Sequence, residues 1–187
     1  MSSEFQASLR RLGPEKQNKS LRRRADSDLE FIETSTFRPA KLLYDTTVYV
    51  DILQDRFPKR GELMLRAVDT WHCPVTESEL AAACGLLDPA HPGTRKTIEE
   101  IAGLIDRRPV QRTLMPDQKT WREAGLLSGI LSRVQAYEKN QRRRVLNDAL
   151  LYVTARQHGC TVLTRNVSDF DLLQQLDPSG RVLFYRI

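Results

Sequence analysis

Histidine and cysteine are scarce in this chain, three of each among 187 residues, and their scarcity removes whole classes of chemistry. Cys73, Cys84 and Cys160 are odd in number and have no CxxC spacing, which points to a reduced, cytoplasmic protein rather than a disulfide scaffold. His72 and Cys73 adjoin, but no second cysteine stands at ligand spacing, and His91 and His158 are the only other imidazoles. A zinc site is therefore not expected. No run of about 18 apolar residues exists, so no membrane span is expected. The charged amino terminus lacks the apolar stretch of a secretory leader. Repeats and low-complexity tracts are also missing.

Charge is present, and it is unevenly placed. Residues 1–24 hold seven bases (Arg10, Arg11, Lys16, Lys19, Arg22, Arg23 and Arg24) against Glu4 and Glu15. That surplus of five equals the net charge of the whole chain, +5, so the remainder is neutral overall. Local basic clusters persist at Arg107-Arg108 and at Arg142-Arg143-Arg144. Residues 1–40 are polar with sparse apolar positions. They read as a basic, mostly disordered extension with one short helix near Asp28–Thr34, either a tether for RNA, DNA or an acidic partner or simply a solvated arm. Residues 41–187 read as one folded domain, long enough for a sizeable core.

From Lys41 onward strand and helix patterns alternate. Leu42-Leu43-Tyr44 reads as a buried strand, followed by helices over Thr47–Gln54 and Glu62–Thr70. Cys73-Pro74-Val75 reads as a second strand, leading into a helix over Glu77–Leu87, with another from Thr94 to Asp106. Val110–Leu114 is a candidate third strand. Trp121, Ala124, Leu127, Leu131 and Val134 mark the apolar face of a long helix from Asp117 to about Tyr137. Asn140–Arg144 reads as a charged break before a helix over Val145–His158, which Gly159 terminates. Thr161-Val162-Leu163 is a strand, Asp169–Gln175 a short helix and Val182–Tyr185 a final strand. Such alternation implies an α/β fold with a mainly parallel sheet covered on both faces.

Four acids stand just past such strands or just inside a following helix: Asp45, Glu79, Asp148 and Asp169. In an α/β fold, ligands bind outside the carboxyl ends of the strands, so acids far apart in sequence can converge there. Four carboxylates about 6 Å apart would repel by roughly 3 kcal/mol per pair at an effective dielectric of about 20, on the order of 16 kcal/mol for six pairs. That exceeds the stability of most domains. Such a cluster persists only with some acids protonated or with a hard cation among them, and Mg²⁺ and Mn²⁺ prefer oxygen ligands of this kind. Each acid also has an ordinary reading. Asp45 suits a helix N-cap. Thr76 and Glu79 fit a capping box, with Glu77 a competing acid. Asp148 has Arg144 four residues before it as an ion-pair partner, and Asp169 has Asp171 as a rival and Ser168 as a possible cap.

The text around the acids resembles a PIN-domain ribonuclease of the VapC toxin type. The resemblance rests on Asp45-Thr46-Thr47-Val48, on Glu79-Leu80, on Asn147-Asp148-Ala149-Leu150-Leu151-Tyr152-Val153-Thr154-Ala155, and on Leu163-Thr164-Arg165-Asn166-Val167-Ser168-Asp169-Phe170. It covers residues 41–187 and leaves the leading segment unexplained. Two departures from the pattern stand out. Thr47 replaces an Asn or Ser, keeping a hydroxyl beside Asp45. Tyr152 replaces a small or branched residue, which would set a bulky ring close to the metal and narrow the cleft.

The resemblance implies a three-layer α/β/α PIN-like sandwich and Mg²⁺- or Mn²⁺-dependent endonucleolytic cleavage of RNA. By the same resemblance Asp45 and Asp148 would hold the main ion, with Glu79 and Asp169 completing the acidic ring. Thr46, Thr47, Thr164 and Asn166 would support them. Arg165, Arg142, Arg143 and Arg144 are candidate RNA phosphate contacts, because bare carboxylates repel a polyanion. The implied partners are an RNA substrate such as tRNA or rRNA, a cognate antitoxin and a second copy of the chain. Two alternatives stay open: a non-catalytic RNA-binding or scaffold protein on the same fold, and an RNA-processing nuclease outside toxin–antitoxin biology.

Overall fold

The structure is a computed structural model that describes residues 4–36 and 39–187. Four strands, β1 (Lys41–Tyr44), β2 (Asp69–Trp71), β3 (Thr161–Thr164) and β4 (Arg181–Phe184), form one sheet in the order β2-β1-β3-β4, every pairing parallel. Leu43 sits opposite Trp71 and Val162, and Val162 opposite Val182, so the register aligns the short apolar runs across the sheet. Parallel strands buried on both faces read as continuous apolar runs, as Leu42-Leu43-Tyr44 and Thr161–Thr164 do.

Side chains alternate between the two faces of the sheet. Leu43, Val162, Val182 and Phe184 face one core, and Leu42, Tyr44, Leu163, Leu183 and Tyr185 face the other. Against the first face pack α6 (Gln118–Val134), α7 (Lys139–Gln157) and α8 (Val167–Leu176), through residues such as Leu127, Leu131, Leu151 and Phe170. Against the second pack α2 (Thr46–Leu53), α4 (Pro74–Leu86) and α5 (Thr94–Asp106), through Val48, Leu80 and Ile101. A short α3 (Lys59–Leu65) adds Met64 and Leu65 to the rim of this core. The result is the expected three-layer α/β/α sandwich. Full burial of a Leu, Val or Phe side chain contributes about 1.5–3 kcal/mol, so the two cores supply most of the gross stabilisation.

Several elements differ from the sequence reading. The second strand is Asp69–Trp71 rather than Cys73–Val75. Pro74 has no N–H for a ladder but suits the first turn of a helix, and there it begins α4 behind Cys73. Thr76 and Glu79 consequently lie inside α4 and form no capping box. Val110–Arg112 is a single 3-10 turn, and only Thr113 bridges to the chain at His72. The run Asn140–Arg144 is no break: it forms the first turns of α7, where Glu138 and Gln141 make a reciprocal capping box. Its arginines face water, and Arg is a good helix former.

The leading segment departs most from the expectation of disorder. Helix α1 (Glu4–Leu12) packs on α6, and Leu12, Leu29 and Phe31 enter the first core. The short helix expected near Asp28–Thr34 is instead a 3-10 turn at Asp26–Asp28, after which Phe31 bridges Phe184 at the edge of β4. Two arginines anchor the segment. Arg11 pairs with buried Glu123 and, at 2.6 Å, with buried Asp177, while Arg24 pairs with buried Asp171 at 2.6 Å. Arg156 shares Glu123 and Asp177, forming a network of two cations and two anions. Sparse apolar spacing hid this packing, because Leu12, Leu29, Phe31 and Ile32 are buried without a sustained period while Phe5 stays exposed.

Removing one member of a buried ion network leaves its partners charged and dry, at roughly 3–5 kcal/mol for a fully buried pair. Arg11 is 35% exposed, so Arg11→Ala is expected to lower unfolding stability by somewhat less, about 2–3 kcal/mol. Chemical denaturation of the two proteins side by side measures it. A loss below about 0.5 kcal/mol would mean that the segment is not anchored there.

Candidate metal centre

Because the strands are parallel, their carboxyl ends lie on one rim. At that rim β1 runs into Asp45, which is both the N-cap of α2 and the first member of the site. Its Oδ1 accepts from the Thr46 backbone N–H at 2.7 Å. Its Oδ2 accepts from the Thr47 hydroxyl at 2.7 Å and from the Thr164 hydroxyl at the end of β3 at 2.6 Å. Thr47 thus keeps a hydroxyl on Asp45. Two residues after Thr164, the Asn166 side chain donates to Asp169 Oδ2 at 2.9 Å and to Asp148 Oδ2 at 3.3 Å. Asn166 also caps α8 by accepting from the Asp169 N–H, the role Ser168 had been expected to play. Glu79, on α4, accepts from the Thr46 hydroxyl and from Asn147 Nδ2, the latter at 2.8 Å. A continuous set of neutral donors thus links all four acids, which sequence separates by as many as 124 positions (Asp45 to Asp169).

The electrostatics follow from burial. Asp45 is 4% and Asp148 6% exposed. Loss of water raises the Asp148 carboxyl well above its ordinary range, and the charges of Asp45, Asp169 and Glu79 raise it further. Asp45 is raised as well, first by desolvation and also by Glu79, although its hydroxyl and N–H donors pull the other way. Burial and then Asp169 raise the Tyr137 phenol, whose hydroxyl reaches Asp169 at 3.5 Å.

The other buried acids of the fold are treated differently. Asp51, Asp171, Asp177 and Glu123 each meet an arginine. Asp148, by contrast, has the 3.3 Å contact with Asn166 as its only hydrogen bond among the described residues.

The remaining sequence candidates sort themselves. Arg144 does not pair with Asp148; its guanidinium lies 3.5 Å from Asp169 and is 67% exposed. Arg142 donates to the Tyr137 carbonyl at 3.0 Å, and Arg143 is exposed. Arg165 turns to buried Asp51, with contacts of 2.8 and 3.3 Å, and holds that acid together with Arg56 and the Tyr185 hydroxyl. Glu77 faces Arg108, and Asp171 faces Arg24, so neither rival acid belongs to the site. Tyr152 does not narrow the cleft. It is fully buried, donates to the Asp177 carbonyl and lies under Gly180, where a Cβ would collide with its ring. Sequence reasoning overlooked Asn147 and Tyr137 as donors. Asn147 directly precedes Asp148, which was the available signal; Tyr137 had none.

Among the described residues no three His, Cys, Asp or Glu side chains form a ready-made metal cage. A Mg²⁺-type ion suits such a site, since it keeps several of its waters and takes only one or two carboxylates. Two buried aspartates, held by hydroxyl, amide and backbone N–H donors rather than by a buried arginine, match that requirement.

No protein-family model matches the chain, and no curated protein matches it by sequence. Solved structures do match in fold. A chain of DNA-bound VapBC from Salmonella typhimurium is 18% identical with a TM-score of 0.55, covering 77% of this chain and 97% of that one. A chain of FitAcB from Neisseria gonorrhoeae is 19% identical with a TM-score of 0.54, covering 76% and 96%. A chain of VapBC-5 from Mycobacterium tuberculosis is 20% identical with a TM-score of 0.51, covering 80% and 100%. The fold is thus PIN-like, the architecture found in VapBC toxin–antitoxin complexes.

A carboxyl whose pKa is higher folded than unfolded binds more protons in the native state. Its presence then costs stability as pH rises from the ordinary carboxylate range, near 4, through the raised native value. Asp148→Asn is accordingly expected to melt several degrees higher than the parent chain at pH 7 in EDTA. The advantage should shrink toward pH 4, where both side chains are neutral. In a chain of this size each kcal/mol of relieved repulsion shifts the midpoint by about 2–4 °C. A variant that melts lower at pH 7 would make Asp148 a stabilising partner instead.

Proposed function

We propose that this chain is a metal-dependent endoribonuclease, the toxin member of a VapBC-type pair. One observation carries the reading: four acids are gathered at the carboxyl rim of the sheet, with hydroxyl and amide donors between them and, among the described residues, no arginine or lysine buried with them, Arg144 touching Asp169 only from the solvent side. Elsewhere the same protein neutralises its buried acids with arginine, so the exception calls for a cation from outside.

Asp45 and Asp148 would hold the ion, directly or through its waters. A bound Mg²⁺ or Mn²⁺ supplies a water of lowered pKa, polarises the scissile phosphate and stabilises the leaving oxygen. Thr47 and Thr164 fix Asp45 Oδ2, and the Thr46 N–H fixes Oδ1, so the carboxylate cannot rotate away. Asn166 sets the orientation of Asp148 and Asp169 with one amide. Thr46 and Asn147 hold Glu79 toward the same space, where Glu79 and Asp169 orient the attacking water. The exposed Arg144, beside Asp169, meets a substrate phosphate.

The matched structures are complexes of VapBC and FitAB pairs, which supports a cognate antitoxin as partner for this chain; a second copy of the chain is the other expected partner. A small protein encoded beside this chain is expected to co-purify with it, and failure to form a complex would count against the pairing. The RNA is expected to be a tRNA or an rRNA.

Cleavage of a mixed tRNA and rRNA pool by the partner-free chain tests the activity, with Mg²⁺, Mn²⁺ or EDTA. Discrete fragments are expected only with metal, and none from Asp45→Asn or Asp148→Asn. Thr164→Val, which removes one oriented donor, is expected to slow cleavage by about 10–100-fold. Cleavage that survives EDTA or both Asp substitutions would reject the reading. RNA binding without any cleavage would point to a binding module on the same fold.

A further inference from the structure

The bases of residues 1–24 are not equivalent. Arg11 and Arg24 are anchors in buried ion pairs, and Arg23 pairs with Asp26. Between the anchors, Lys16, Lys19 and Arg22 are exposed, and among the described residues none of them meets a carboxylate. Their backbone is nonetheless held. Arg133 donates to the Pro14 carbonyl at 2.7 Å, Ser20 to Gln135 at 2.9 Å, and Gln135 to the Leu21 carbonyl at 2.9 Å. Residues 14–21 are therefore laid along the carboxyl end of α6.

That end leads to the metal centre. Two residues beyond Gln135, at most about 7 Å of chain, Tyr137 reaches Asp169 with its hydroxyl. Arg142 bonds the Tyr137 carbonyl and Arg144 touches Asp169. Between α6 and α7 a groove of about 600 Å³ opens beside Ser128, Gly129, Ser132, Arg133 and Arg142. Its floor is small and its edges are basic.

We propose that the strap and this groove form a track for the RNA backbone, in which Lys16, Lys19 and Arg22 together with Arg133, Arg142 and Arg143 lead single-stranded RNA to the acidic site. The proposal rests on the nuclease reading. Four carboxylates repel a polyanion, so the substrate must be held by charge placed to one side of them, and a strap anchored at both ends offers that charge already ordered. An acidic protein partner fits less well. Protein interfaces take their energy from buried aromatic and apolar anchors, and the stretch Glu15–Ser20 has none.

The test is binding of a single-stranded oligouridine to the full chain carrying Asp45→Asn, in Mg²⁺, over a salt series. A parallel assay measures RNA cleavage by the parent chain. Affinity for single strands falls with salt at a log–log slope of about 0.7 per phosphate contacted. With Lys16, Lys19 and Arg22 all changed to Gln, the slope is expected to drop by about 2. The charge-preserving variant K16R/K19R/R22K should keep it. If the parent cleaves and the Gln variant keeps its slope, the track is overturned while the nuclease stands. The track is overturned equally if the charge-preserving variant loses the slope as the Gln variant does. If the parent cuts no RNA with any metal, the nuclease reading falls and the track with it.

Discussion

A sheet whose four strands run in one direction must bury both faces and must bring all its carboxyl ends to one rim. Nearly everything else about this protein follows from that constraint. The buried faces demand alternating apolar residues, so Leu43 and Leu42 serve opposite cores although they are neighbours. The shared rim collects whatever follows each strand. Here that is Asp45 after β1 and Thr164-Arg165-Asn166 at the end of β3, with Glu79 and Asp148 brought in from α4 and α7. The site is a by-product of strand direction, and its chemistry depends on which residues stand at the strand ends.

The protein handles buried acid in two ways, and the contrast defines the site. Asp51 is held by Arg56, Arg165 and Tyr185, and Asp171 by Arg24. Glu123 and Asp177 share Arg11 and Arg156. These groups are neutralised in place and hold segments together. At the rim, donors are hydroxyls and amides, which orient carboxylates without cancelling their charge. Such a cluster is unfavourable for the metal-free chain, as the raised carboxyl of Asp148 indicates. Strain of this kind is expected where folding and function compete.

The leading segment is tied to the same logic of charge. Its two anchoring arginines answer buried acids of α6, α8 and the turn before β4, which ties a polar stretch to the surface without a continuous apolar face. The backbone that carries Lys16 and Lys19 is then held along the carboxyl end of α6. A disordered arm with the same composition would offer the same net charge but not the same direction.

Much was legible in the text alone. Short apolar runs named β1 and β3, with Asp45 and Asp169 behind them, and three- and four-residue apolar steps named α6. Local pattern suffices there because a strand end fixes what comes next. The rest was decided in three dimensions. Strand β2 was displaced because a proline cannot pair within a sheet, and Glu79 lost its capping box when the helix began three residues earlier than the box requires. Arg165, a phosphate candidate by sequence, was drawn to an Asp 114 positions away, and Tyr152 found its partner in the turn at Asp177–Gly180. Long side chains can reach several partners, and a sequence does not say which will be near. The sequence by itself determined the α/β class, the strands β1, β3 and β4 and the apolar faces that cover them. Tertiary structure decided which buried charges met an arginine and which did not, because that choice depends on distances across the fold that no local pattern encodes.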